Sequence, residues 1–415
     1  MIYQIAAFAW LVFGILLTIF TICKLSLDFH QLNYIKEASV SDQEMDELGV
    51  DQNFINRSNS YGIHKLYLSM VSTFVTIMIV YFVFLSNGFG MLNSLTDNIS
   101  LDIFGKNLSI VFVFFLLLSI INIPTSYIKT FYIEEKFGFN KMSKVLFLRD
   151  LITNLVLSLI IVAITFKLFE TLFINYSDLW WFYLWILLIF INILSAYIYP
   201  SLIAPIFNKF KKLDDSVLNS SVLALTEKLS FPIEDLYVMD GSKRSSHSNA
   251  YFSGLFGKKR IVFFDTLLNI LTLNEIKSVL AHEIGHYKEK HILKSMVLFG
   301  IISLLFLYTF FIILNFLIID INIPIDLAPS FVAILFVLVS PLLSFFLMPF
   351  LSALSRRNEF EADDYAKTHT ESKDLISSLV KLSKGNLSLV KSSPIYAYFY
   401  SSHPSVFDRI KNLKK

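Results

Sequence analysis

Three residues at helical spacing carry the densest chemistry in this chain: His282, Glu283 and His286, within the stretch AHEIGHYKEKH that runs from Ala281 to His291. On a helix, positions i and i+4 project from one face, so both imidazoles can bind a single zinc ion while Glu283 handles a proton beside it. The chemistry this implies is hydrolysis. Zinc lowers the pKa of a water and polarises a carbonyl, Glu283 takes the water proton and delivers it to a leaving amine, and a donor or cation stabilises the oxyanion. Alone, the pattern is also met on surface helices that merely carry two histidines.

A zinc hydrolase needs a third protein ligand and leaves its fourth position open. Metzincin spacing is excluded, because the positions where it requires glycine and histidine are Glu289 and Ile292. His291 lies five residues past His286, which on a continuous helix turns it well away. Glu359, in the segment SRRNEFEADDYA from Ser355 to Ala366, is the better candidate. Glu359 and Asp363 share a helix face and Glu361 points elsewhere, so Asp363 can accept a hydrogen bond from the far nitrogen of a zinc histidine. The plain alternative for this segment is an acidic, solvated helix.

These residues must be brought together by a chain that is 55% hydrophobic and 16% charged, with 42 Phe among its 415 residues. Such a composition predicts an integral membrane protein. Seven stretches are apolar over about 20 residues, the length that crosses a hydrocarbon core: 3–23, 66–87, 108–128, 151–174, 179–199, 295–320 and 328–352. If the N-terminus is outside, the inside segments hold 33 of the 35 Lys and Arg and the outside segments only Lys106. This is the positive-inside pattern. Two crossings separate His286 from Glu359, which returns Glu359 to the face that carries the histidines. The first apolar run has no basic leader and no small-residue cleavage site, and reads as a retained helix. The single Cys23 excludes an internal disulfide framework. A net charge of +2 with no Lys/Arg block gives no reason to expect a nucleic-acid partner.

The chain therefore divides into membrane helices 1–5 with their connectors (1–199), a segment with the zinc-motif helix (200–294), helices 6 and 7 (295–352), and a C-terminal segment that completes the site (353–415). Within 200–294 a small α/β unit is expected. Ser216 to Leu229 has helical spacing, Asp235–Val238, Asn249–Phe252 and Arg260–Phe264 are β-prone, and Gly257-Lys258 can turn the chain. Thr272 and Glu275 form a T-x-x-E capping box that starts the motif helix, with Ile276, Val279, Leu280 and Ile284 as its apolar stripe. The acidic stretch in 24–65 reads as a solvated connector. Lys167 and Glu170, near the end of the fourth span, read as a pair snorkelling outward, the alternative being a polar interior.

Six segments now carry a resemblance. They are the zinc motif, YIEEKFGFN from Tyr132 to Asn140, YPSLIAPIFN from Tyr199 to Asn208, SKRSSHSNAYF from Ser242 to Phe252 with KRIVFFD from Lys259 to Asp265, the Glu359 segment, and HPSVFDR from His403 to Arg409. Together they resemble the type I CAAX prenyl protease family, integral-membrane zinc endopeptidases that cut near the C-terminus of isoprenylated proteins. Asp408 stands where glutamate is expected in many relatives.

The resemblance implies seven helices enclosing a water-filled chamber, with a gluzincin-type zinc protease domain at its cytoplasmic end. It implies one zinc held by His282, His286 and Glu359, and Asn249 and Ala250 on an edge strand that pairs with the substrate backbone. It further implies that His403 and Arg409 face the site and stabilise the tetrahedral intermediate. Without it, Asn249 would merely start a strand, His403-Pro404 would be a loop before a helix, and Arg409 would pair with a surface carboxylate. Glu134, Glu135 and Asn140 are expected to pack beneath the protease unit, and His30, His64, His247 and His369 have no partner pattern. The expected substrate is a lipidated or otherwise membrane-delivered peptide. A broader membrane quality-control protease is the alternative, and a non-enzymatic chamber with structural zinc is disfavoured because such a site needs no base like Glu283. A compact chain ending in Lys414-Lys415 favours a bacterial inner membrane over the endoplasmic reticulum.

Overall fold

The computed structural model describes residues 2–85, 88–96, 101–176, 178–231, 233–253, 259–318 and 325–415. Seven helices among them are long and apolar enough to cross a membrane: Phe13–Glu37, Gln52–Tyr81, Ile103–Phe137, Lys144–Asn175, Trp180–Phe207, His291–Asn315 and Ala328–His369. Each contains or overlaps one of the expected spans, and most run on beyond it. The last is continuous over 42 residues. That is about 63 Å of helix at 1.5 Å per residue, twice the hydrocarbon thickness, so it must project well clear of the membrane. Glu359 and Asp363 are carried on that projection.

The helices ring a hollow. In Trp180–Ile198 the only buried residue is Trp180, and in Lys144–Asn175 only Phe166, Phe169 and Glu170 are buried. A helix in a solid bundle hides one whole apolar stripe against its neighbours, whereas these leave most of their apolar side chains partly or largely exposed. Asn192 and Ala196 of span five line a cavity together with Met296 and Phe299 of span six. Spans three and five leave the membrane region through short π-helical turns, Lys129–Glu134 and Tyr199–Ile203, a feature common where a helix is locally rebuilt for function.

A four-stranded sheet sits against this ring: β1 Phe210–Lys212, β2 Ile233–Met239, β3 Ala250–Ser253 and β4 Lys259–Phe264. The order is β1-β2-β4-β3, with β2 and β4 parallel and the two outer pairs antiparallel. β3 is consequently an edge. The expected strands and the helix Ser216–Lys228 are all present, while Gly257-Lys258 lies outside the described residues. One core joins the sheet to both segments that flank spans six and seven, since Phe263 and Ile261 pack with Leu280 and Ile284 of the motif helix and with Leu375 and Leu413 of the C-terminal segment.

Two readings of the sequence need correction. The stretch 24–65 is more than a solvated connector. Ser41 and Glu44 make a capping box that starts a helix over Asp42–Leu48, and Leu48 is buried with Ile55, Val390 and Ile410. Its acidic side chains are mostly exposed, but its apolar ones bind the C-terminal segment. Lys167 and Glu170 do pair at 3.2 Å, yet only Lys167 points outward. Glu170 is buried against Asn107, whose amide lies 3.4 Å from its carboxylate, because a buried amide is available to solvate it.

Candidate active site

The motif helix runs from Leu273 to Lys288, and its start is doubly anchored. Thr272 backbone N–H donates to the Glu275 carboxylate at 2.7 Å, completing the expected capping box. The same carboxylate accepts from Ser377 Oγ at 2.6 Å and Lys381 Nζ at 2.8 Å. Burial pushes the Glu275 carboxyl upward, but these bonds outweigh it and bring it down to about 2. Ile276, Leu280 and Ile284 are buried, with Val279 at the margin of the same core. This turns His282 and His286 toward the helix that bears Glu359. Gly285 permits the two helices to meet, for a Cβ there would stand 3.1 Å from both Cα and O of Ala362.

At the crossing, two imidazole nitrogens and the two oxygens of one carboxylate converge. His282 Nε2 and His286 Nε2 are 3.3 Å apart, His286 Nε2 is 3.3 Å from Glu359 Oε1, and His282 Nε2 is 3.5 Å from Glu359 Oε2. Ligands about 2.0–2.1 Å from a tetrahedral zinc stand roughly 3.3 Å from one another. These spacings are therefore those of a zinc cradle. Two further observations fit zinc. Glu359 Oε2 is buried and receives no hydrogen bond. Glu283, Glu359 and Asp363 also place three carboxylates near a single guanidinium, Arg409, so a dication would complete the charge balance of the site.

Asp363 is fully buried, and His282 Nδ1 lies 2.9 Å from its Oδ1. A neutral His282 that donates there keeps its Nε2 lone pair for the cradle. Arg409 clamps the same carboxylate from the other side, Nε to Oδ2 at 2.8 Å and Nη2 to Oδ1 at 2.6 Å, while its Nη1 lies 3.2 Å from Glu359 Oε2. Burial opposes the charge on Arg409, but Asp363 more than restores it. Its guanidinium is thus committed to the two carboxylates. His403 stands at the rim, with its side chain 64% exposed and Nε2 3.4 Å from Glu359 Oε1. Glu283 faces the cavity, where burial raises its pKa above that of an ordinary carboxylate.

Two cavities meet at Glu283 and Asn249. One, of about 1130 Å³, reaches past Asn192, Met296 and Phe299 of spans five and six. The other, of about 1470 Å³, is bounded by His403, Arg409 and Ala250. β3 pairs through Ala250 with Phe263 and through Tyr251 with Val262, which leaves its other edge turned toward these cavities. The sequence-derived residues are therefore all gathered in one place.

The relatives agree with this arrangement. Residues 212–415 match the model of peptidase family M48, and residues 31–209 match that of the CAAX prenyl protease N-terminal region, five membrane helices. CAAX prenyl protease 1 of Saccharomyces cerevisiae is 34% identical over 71% of this chain and 69% of its own. This chain belongs to the CAAX prenyl protease 1 family. The Arabidopsis thaliana homolog is 33% identical over 87% of this chain and 88% of its own length, and the human homolog 32% over 70% of each. The crystal structure of S. mikatae Ste24p superposes with a TM-score of 0.87 at 29% identity, covering 97% of this chain and 99% of that one. Family and fold make the chain a multi-pass membrane zinc metalloendopeptidase with a chambered membrane domain. These relatives are eukaryotic, so the preference for a bacterial inner membrane finds no support in them.

Sequence reasoning missed several members of the site. His291 was expected to turn away from His286, but the motif helix ends at Lys288 and Lys290 adopts a left-handed conformation at φ 58°. The chain folds back, and His291 Nδ1 lies 2.9 Å from His286 Nδ1. His247, to which no partner was assigned, has its two ring nitrogens 3.1 Å from Glu134 and 3.0 Å from Asn386. Phe139 stacks on its ring, and Tyr61 donates to Glu134 at 2.7 Å. These bonds tie the approach to β3 to spans two and three. Asn140 bridges to Ser245 in the same brace, the structural part expected of the Tyr132–Asn140 segment. No spacing in the sequence links positions this far apart.

Proposed function

We propose that this enzyme hydrolyses a peptide bond near the C-terminus of prenylated, CAAX-type proteins that reach it from the membrane. The observation that carries this reading is the cavity at Glu283. It is bounded by a free strand edge at Asn249 and Tyr251 on one side and by apolar span residues such as Met296 and Phe299 on the other. A substrate with one peptide chain and one lipid chain matches such a wall pair.

In this reading the substrate backbone adds to the outer edge of β3 at Asn249 and Ala250, which sets the scissile bond over the cradle. His282, His286 and Glu359 would hold zinc, which supplies Lewis acidity toward water and the scissile carbonyl. Glu283, its carboxyl raised by burial, takes the proton of the attacking water and returns it to the leaving amine. His403 donates to the oxyanion from the open rim, with Arg409 adding positive charge from behind. Asp363 holds His282 in the productive tautomer. The distribution of Lys and Arg supports an N-terminus outside and a zinc site on the cytoplasmic face.

The test is cleavage of matched farnesylated and non-farnesylated CAAX peptides by the purified chain, with and without chelator. Chelator-sensitive cleavage that prefers the farnesylated peptide is expected. Equal cleavage of both would replace this reading with that of a general membrane quality-control protease.

A further inference from the structure

We propose that His291, oriented by Glu361, is the positioning residue that fixes the tautomer of His286 and aims its Nε2 lone pair into the zinc cradle.

Glu361 sets the position of each proton between it and the zinc cradle in turn. Glu361 lies among cations, with Arg357 Nε 2.8 Å and Lys294 Nζ 3.6 Å away, so it is an ionised carboxylate that can only accept. His291 Nε2, 3.1 Å from Glu361 Oε2, must therefore carry the hydrogen between them. A neutral imidazole has one N–H, which leaves His291 Nδ1 as an acceptor. Its partner at 2.9 Å is His286 Nδ1, which must then be the donor. The remaining nitrogen of His286, Nε2, keeps its lone pair and faces Glu359 and His282. Every step is set by the carboxylate at the end of the chain.

The two zinc histidines are thereby supported by different means from one helix. His282 contacts Asp363 directly, whereas His286 is reached from Glu361 only through an intervening imidazole. His291 is 4% exposed, and its ring is enclosed without forming part of the three-atom cradle. The left-handed Lys290 is what allows this. It interrupts the helix between the two histidines and returns His291 to the flank of His286. A backbone conformation unfavourable to a side-chain-bearing residue persists where surrounding contacts impose it.

This inference rests on the zinc reading of the site, and its test reads metal affinity as well as fold. The full chain in detergent is titrated with zinc against a chromophoric chelator, and the thermal stability of the metal-free protein is recorded alongside. Wild type is expected to bind one zinc. His291→Leu, which keeps bulk but offers no acceptor, is expected to bind it about 10- to 100-fold more weakly. His291→Asn, whose Oδ1 can accept from His286, should recover most of that loss. Glu361→Gln should weaken binding by about tenfold or less. Metal-free stability should be unchanged in Glu361→Gln and similar in the two His291 variants. Should His291→Leu fail to fold, Glu361→Gln decides, since Glu361 is partly exposed. Affinities within twofold of wild type in both His291→Leu and Glu361→Gln would overturn the inference and leave the zinc site standing. A wild type that holds no zinc would overturn both.

Discussion

The unit around the motif helix and the ring of membrane spans use similar apolar side chains to opposite ends. Around Leu280, Ile284 and Phe263 the packing is complete, and each of these residues is at most 1% exposed. Along the fifth span, Ile186, Phe190 and Ile193 are 46%, 59% and 41% exposed, with no buried neighbour on the helix beyond Trp180. Complete packing locks rotamers and transmits small displacements, which a cradle with ligand atoms 3.3 Å apart requires. A hollow ring needs only to keep its walls apolar and its ends tied, and it leaves room for substrate.

The sharpest test of that contrast lies in the chemistry held by the packed side. Glu283→Gln should keep zinc and lose cleavage by about three orders of magnitude, within the range for removing a general base. Glu359→Ala should lose most of the zinc as well, because it deletes one ligand of three. Metal content and peptide turnover measured together check both, and full activity in Glu283→Gln would sink the mechanism. Next in size, Leu280→Ala should cost about 2–5 kcal/mol of stability through the cavity it leaves. Gly285→Ala should cost about 1–3 kcal/mol and weaken zinc binding, since the new methyl forces the motif helix away from Ala362. Smallest of all, Ile186→Ala in the exposed fifth span should change stability by no more than about 0.5 kcal/mol. Thermal unfolding in detergent compares these three. If Ile186→Ala cost as much as Leu280→Ala, the division into packed unit and hollow ring would be wrong.

The zinc ligands were legible because their relation is short in range or countable. His282 and His286 are joined by helical periodicity alone. Glu359 follows from counting two membrane crossings and needing a third ligand. Asp363 follows from sharing a helix face with Glu359. The His291 contact was illegible because it depends on the backbone of Lys290, a residue type that gives no signal for a left-handed turn. The commitment of Arg409 to both Asp363 and Glu359 was equally hidden, since Arg409 lies 46 residues beyond Asp363. The same holds for Glu170, whose burial depends on Asn107 of another span.

By itself, then, the amino-acid order determined the seven spans, the capped motif helix and the pair of histidines on its face. All of these follow from hydrogen bonding and hydrophobicity within one stretch of chain, or from the thickness of a bilayer. Only the tertiary structure decided how Glu359 meets the histidines at zinc distance, how Asp363, Arg409, His291 and Glu361 support them, and that the span ring is hollow. Those depend on where separate helices cross, and crossings are set by the packing of residues remote from one another in the chain.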